Sequence, residues 1–454
     1  MPLTPTTAQH LDARLANEQA QQRLPSITAS LLRGGEVVWS GAAGTVDARA
    51  DGVAATPDTQ YRIGSITKTM VAVGVMRLVA DGHVRLTDAI RTHLPELDPA
   101  FDGVSLTALL TQSSGLYAET LGPWWERSPG VGWADLLPSI RLAHDPGRRF
   151  HYSNVGFAVL GRLLEVVRDR PWFDVLADEL FAPLSMTRTS YDAVAPSAPG
   201  LAVHPLTDQV HDEPSQDTGA MAPAGQIWST SDDLCRWGAF VQGGDDRVLP
   251  DDLRRAMHVP SVVDDTPGRP WTRAYGLGLD VVNRDGVRYI GHGGSMPGFQ
   301  AAVRVDTRTG DGVAVLTNST TGPGGDLVGD LLDLVQQHDP RPAAAWHTDP
   351  ASADAARLAG HWHWGPRRYD LRTTPGGGLE LSLAGGSGVW SRFDAAADGT
   401  WTGRDDYWAG ETLRPFGDGE RPAYLDLGSF RLTRDPYDPD ADIPGGVEDV
   451  GWHS

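Results

Sequence analysis

A chain of 454 residues is too long for one hydrophobic core, and 40% hydrophobic with 21% charged residues is the make-up of a globular protein. A formal net charge of -21 opposes phosphate backbones and argues against nucleic acid as a partner. No apolar run approaches the roughly 18 residues a membrane span needs, and Met1-Pro2-Leu3-Thr4-Pro5 has neither the basic nor the apolar region of a signal peptide, so the expected compartment is the cytoplasm, away from membranes. A polar helix is predicted over 6–22. Residues 26–33 and 36–42 alternate about Gly34-Gly35, the pattern of a β-hairpin with a two-residue turn. An apolar helix is expected over 66–81, with Met70, Val73, Val75, Met76 and Val79 inside and Asp81-Gly82 ending it.

A helix-and-loop region follows to about 270, with apolar helical patterns near 154–167, 172–181 and 230–242. Strand-like runs come next at 275–283, 287–291, 299–306 and 312–317, then a closing helix at 326–337. Strands thus bracket a helical insertion. The expected architecture is an α/β sandwich, an antiparallel sheet flanked by helices, with a helical subdomain. The Pro/Ala-rich stretch 339–354 reads as a linker between a catalytic domain, 1–338, and a second domain, 355–454. In the latter, short strands alternate with turns such as Pro375-Gly376-Gly377-Gly378 and Asp398-Gly399, the pattern of a small antiparallel barrel. Its last residues, 436–454, read as an extended tail.

One residue count is unusual. Of 38 basic residues a single one is lysine, Lys68; the rest are arginine. An ammonium can give up its proton when desolvated and a guanidinium cannot, so a lone lysine marks a place where arginine will not serve. Lys68 closes Ser65-Ile66-Thr67-Lys68, where the i, i+3 spacing stands hydroxyl and amine on one helix face. A serine is a weak nucleophile until a base takes its proton, and an amine of lowered pKa can do so. Taken alone the motif also fits a helix cap beside a solvated lysine. Tyr152-Ser153-Asn154 precedes an apolar helix. A phenol there can shuttle a proton and an amide can hold a substrate carbonyl, while Ser153 or Asn154 also fits a plain N-cap. His292-Gly293-Gly294-Ser295 ends a strand. Its glycines permit close approach to the backbone, and the histidine can orient or tune a proton relay. Cys235, the one cysteine, reads as a buried inert thiol. Two histidines, His361 and His363, alternate on a strand without a third ligand, so no metal is implied, and no cofactor motif occurs.

The three motifs in this order resemble the serine β-lactamase and DD-peptidase superfamily, and more closely its class C β-lactamase, esterase and D-aminopeptidase branch. Supporting stretches are Tyr61-Arg62-Ile63-Gly64-Ser65, Leu109-Leu110-Thr111-Gln112-Ser113-Ser114-Gly115-Leu116, Pro183-Leu184-Ser185-Met186 and Pro223-Ala224-Gly225-Gln226-Ile227-Trp228. The resemblance spans about 10–335. It implies Ser65 as nucleophile, Lys68 as base, Tyr152 as acid/base, His292 in the proton relay, Asn154 on the substrate, and an oxyanion hole at Gly294-Ser295 using the N–H groups of Ser65 and Ser295. His292 stands where β-lactamases carry lysine, a departure toward the esterase, peptidase and thioesterase members. Gln112 replaces a histidine common in its stretch, which the sequence does not explain. The second domain resembles a lipocalin-like barrel appended to some members, among them penicillin-binding-protein-type thioesterases that off-load and cyclise nonribosomal peptides from carrier proteins. Trp124-Trp125 and Trp133 fall in the stretch expected to rim the cleft, as apolar subsite or as core. Three functions stay open: a hydrolase of esters, thioesters or D-residue peptides; a peptidyl thioesterase or macrocyclase on a carrier-tethered substrate; and a covalent sensor without turnover.

Overall fold

The computed structural model describes residues 3–343, 345–348, 353–386, 391–417 and 422–436. Its first helix, α1 (Pro5–Gln21), is capped by the Thr4 hydroxyl accepting from the Thr7 N–H. Strands β1 (Ser26–Arg33) and β2 (Glu36–Gly44) form the expected hairpin, with both turn glycines at positive φ, 62° and 82°. Next come α2 (Thr67–Ala80), α3 (Asn154–Arg168) and α4 (Ser231–Gly243). Strands β3 (Val262–Val263), β4 (Arg273–Tyr275), β5 (Asp280–Arg284), β6 (Val287–Met296), β7 (Phe299–Asp306) and β8 (Gly312–Thr317) follow, and α5 (Leu327–His338) closes the element series.

The eight strands form one antiparallel sheet in the order β2-β1-β8-β7-β6-β5-β4-β3, so the first hairpin pairs with the last strand. Strand β1 is buried along its whole length because both of its faces are covered. Ile27, Ala29 and Leu31 point to a core shared with Leu11 and Leu15 of α1 and Leu327, Leu331 and Val335 of α5. Ser30, on the opposite face, bonds the Ser231 hydroxyl at the start of α4, over 2.7 Å. Period-two alternation in one strand thus serves two helical layers. This is a β-lactamase-like α/β fold.

Two expectations need correction. The run 275–283 is not one strand. Gly276–Leu279 loop out between β4 and β5, with Tyr275 paired to Asp280. Leu277 and Leu279 are buried in the loop, which made the apolar run look continuous. Strand β6 runs on to Met296, five residues past the expected end, because Gly291, Gly293 and Gly294 offer no side chain for a period to show.

Contacts divide the chain into residues 1–341 and 342–454. Within the expected linker, 339–343 and 345–348 carry neither helix nor strand. The second unit is a closed, eight-stranded antiparallel meander from Gly360–Trp364 to Phe430–Thr433, closed by the pairing of His363 with Thr433. Trp362, Tyr369, Phe393, Trp401 and Leu425 are among the side chains of its core. The expected tail, from 437 onward, lies outside the described residues. Among the described residues no helix is long and apolar enough to cross a membrane.

Candidate active site

Ser65 sits in a single 3-10 turn, Gly64–Ile66, that feeds directly into α2. Lys68, one turn along, is fully buried. Its Nζ donates to Ser65 Oγ over 2.8 Å and to the Ala224 carbonyl over 2.6 Å. Burial lowers its pKa from 10.5 to about 7, against the opposing pull of the Glu119 and Glu126 carboxylates. An amine at that value is substantially neutral near pH 7, and its lone pair can then accept the Ser65 proton. The lone lysine therefore stands where burial favours loss of its proton, a response open to an ammonium and not to a guanidinium.

Tyr152 and Asn154 are set by the start of α3. Ser153 is its N-cap: the hydroxyl accepts from the Gly156 N–H at 3.0 Å and donates to the Tyr117 carbonyl at 2.7 Å. The cap aims its two neighbours into the site. The Tyr152 phenol stands near the Ser65 side chain, and its ring lies 5.1 Å from Lys68 Nζ. Burial pushes its pKa well up, so the phenol is protonated at neutral pH. Asn154 Nδ2 donates to Glu119 Oε1 over 2.7 Å.

Strand β6 supplies the opposite wall. A Cβ on Gly64, whose φ is +52°, would lie 2.6 Å from the Ser295 nitrogen, and one on Gly294 would lie 2.0 Å from the Ile63 carbonyl oxygen. Only glycine at both places lets β6 press against the Ser65 turn, which sets the Ser65 and Ser295 backbone nitrogens near one another. Ser295 Oγ accepts from Gln300 Nε2 at 2.9 Å and is exposed.

His292 is buried behind this wall. Its Nδ1 faces the Gly293 carbonyl and so carries the proton, which leaves Nε2 to accept from the Tyr275 hydroxyl at 3.0 Å. Burial lowers its pKa to about 4, with Asp280 pulling the other way, so the ring is neutral. Asp280 is itself buried. Burial alone would raise its pKa, but His292, Arg304 and Arg273 hold it below the usual range; Arg273 donates over 2.8 Å and Arg304 over 3.0 Å. The His292 ring lies 6.1 Å from that of Tyr152, and both its nitrogens are committed elsewhere.

The family model described as Beta-lactamase matches residues 11–338. The chain belongs to the Beta-lactamase family. A second model, a domain of unknown function (DUF7586), matches 351–434. Among curated relatives, Protein flp of Staphylococcus aureus is 24% identical over 334 residues, which make up 70% of this chain and 64% of that protein. The chain thus spans less than two thirds of that relative. Of solved structures, the octameric penicillin-binding protein homologue from Pyrococcus abyssi is 21% identical with a TM-score of 0.62, over 94% of this chain and 99% of that one. A D-stereospecific amidohydrolase from Streptomyces sp. is 27% identical with a TM-score of 0.56, over 74% and 99%.

Within this Beta-lactamase-family site the sequence reading missed two carboxylates and a tyrosine. Glu119 Oε2 accepts from the Trp125 indole and Glu126 Oε2 from the Trp124 indole, each over 2.7 Å. Part-burial first, and then Glu119, raise the Glu126 pKa, while Lys68 and Arg62 lower it. Trp124 is 58% exposed, whereas Trp125 and Trp133 pack against the core. The signal for Glu119 was its place three residues after the family-like stretch that ends at Leu116. Tyr275 was hidden inside the misread run 275–283. The Cys235 thiol is buried, and burial raises its pKa, as an inert thiol requires.

Proposed function

We propose that this protein is a serine acyl-transfer enzyme acting on amides or esters whose acyl group bears an amine near the carbonyl. The observation that carries the reading is the 2.8 Å bond between Ser65 Oγ and the buried Lys68 amine of lowered pKa. Neutral Lys68 takes the hydroxyl proton as Ser65 Oγ attacks the carbonyl carbon. The oxyanion is held by the N–H groups of Ser65 and Ser295. As the tetrahedral intermediate collapses, the Tyr152 phenol protonates the departing amine or alkoxide and regains its proton from Lys68. Water then attacks the acyl-enzyme by the reverse relay and releases the acid.

Glu119 and Glu126 supply the substrate preference. Two carboxylates whose field reaches Lys68 favour a substrate ammonium in the same cleft, where Asn154 bridges to Glu119. The likeness to the D-stereospecific amidohydrolase from Streptomyces sp. supports a D-configured residue at this position. The same carboxylates suit a second reading, in which a peptidyl thioester acylates Ser65 and its own amine, held at Glu119, replaces water and closes a ring.

A thioester of a D-amino acid with a free α-amine tests the first reading, and a peptidyl thioester with a free N-terminal amine and a C-terminal D residue tests the second. Products from wild type and Ser65→Ala are separated and weighed by mass spectrometry. Linear acid made only by wild type supports the hydrolase, and a cyclic product made only by wild type supports the cyclase. Equal products from the two proteins would exclude Ser65 as nucleophile.

A further inference from the structure

We infer that Gln112 is a positioning residue for Tyr152, gripping the chain on both sides of it. The inference rests on the reading above, in which Tyr152 moves a proton. The main-chain carbonyl of Gln112 accepts the His151 N–H over 2.7 Å, and its side-chain Oε1 accepts the Ser153 N–H over 2.8 Å. Tyr152 is thus bracketed by two hydrogen bonds to a single residue. Gln112 is 1% exposed and its φ is +58°, a left-handed backbone that strains a residue with a side chain. Such strain persists only where the surroundings demand it.

The ring of Tyr152 is fixed from another side. Tyr275 meets it edge-on at 6.3 Å and also packs against Phe150 at 6.0 Å, while its hydroxyl is tied to His292. The Gln112 amide stands beside that same hydroxyl. Gln112 touches neither Ser65 nor Lys68 by any hydrogen bond among the described residues, so it acts through Tyr152. This accounts for glutamine at a position the sequence left unexplained. An amide offers its acceptor at every pH, whereas an imidazole offers one only while neutral.

The titratable groups around position 112 are His151, bonded to His144 over 3.1 Å, together with Tyr152, Tyr275, His292 and, behind them, Lys68 and Asp280. All are shared by wild type and variants, so the comparison isolates position 112. The experiment measures kcat and KM for the methyl ester and the p-nitrophenyl ester of one acyl group, from pH 5.5 to 9. Rates are normalised to the fraction of protein that an alkyl phosphonate labels at Ser65 at end point. A nitrophenolate leaves without a proton and a methoxide does not, so a misplaced Tyr152 is felt mainly on the methyl ester.

For Gln112→Ala we expect kcat/KM, which reports acylation and not the deacylation common to both esters, to fall about 100-fold on the methyl ester and about tenfold or less on the p-nitrophenyl ester. Gln112→His should approach wild type at pH 9, where its imidazole is neutral and can accept the Ser153 N–H. Equal losses in kcat/KM on both esters, wild-type kcat/KM per labelled site, or a Gln112→His variant that still loses about 100-fold on the methyl ester at pH 9 would each overturn the inference. If Gln112→Ala does not fold, the Gln112→His profile decides. Failure of the underlying reading has a separate sign: Ser65→Ala would turn over both esters as wild type does.

Discussion

At the residue scale the chemistry rests on taking one cation out of water. Lys68 is the chain's only lysine and is wholly buried, and that burial brings its pKa to about 7. Its neutral form is the reactive one, so kcat/KM should fall about tenfold per unit as pH drops below about 7 and level off above it. His292, lowered to about 4, contributes no limb in that range. Lys68→Met should cost about 10³-fold or more in kcat/KM with the fold intact. The same substitution has a stability signature. Between pH 7 and 10.5 the unfolded lysine binds a proton that the folded one does not, so wild type loses stability as pH falls through that window. Methionine carries no such penalty, and the melting temperature of Lys68→Met should therefore gain on wild type as pH is lowered from 10 to 7 and hold that lead below it. A variant that tracks wild type at every pH would contradict a depressed lysine.

At the element scale the site is a junction between the turn at Gly64–Ile66, the capped start of α3 and strand β6. Gly64→Ala places a methyl 2.6 Å from the Ser295 nitrogen at a φ of +52°. It should push β6 away and lower kcat/KM by about 10²-fold through a displaced oxyanion hole, while KM changes little. Much of this was legible before the structure: the Ser65–Lys68 spacing, the cap at Ser153 and the glycine run of β6 are local patterns with local causes. What was not legible is long-range or masked by composition. The Gln112 bonds to His151 and Ser153 join segments some forty residues apart, and no periodicity announces them. Tyr275 and Asp280 end two strands that buried leucines fused into one run. Glu119 lies on a loop and Glu126 in a single 3-10 turn, Trp125–Arg127, where pattern carries little information.

At the scale of the whole molecule, the buried side chains of residues 1–341, gathered by α2, α3, α4 and the sheet and, on another face of it, by α1 and α5, are distinct by residue content from a set that falls within residues 355–432. Two independent cores predict two unfolding transitions in calorimetry, with a phosphonate bound to Ser65 moving only the one that belongs to residues 1–341. A single transition that shifts as a whole would contradict that. The division near 341 was legible from the proline-rich stretch and the change of turn spacing; the closure of the barrel between His363 and Thr433 was not, because closing pairs are distant in sequence.

The central claim is that Ser65 carries the acyl group. The most direct measurement is to quench the enzyme in acid during turnover of a D-phenylalanine methyl ester, weigh the intact protein and map the adduct by peptide fragmentation. One acyl group on the peptide containing Ser65, absent from Ser65→Ala, is the predicted result. An adduct on any other side chain, or turnover by Ser65→Ala at the wild-type rate, would contradict it.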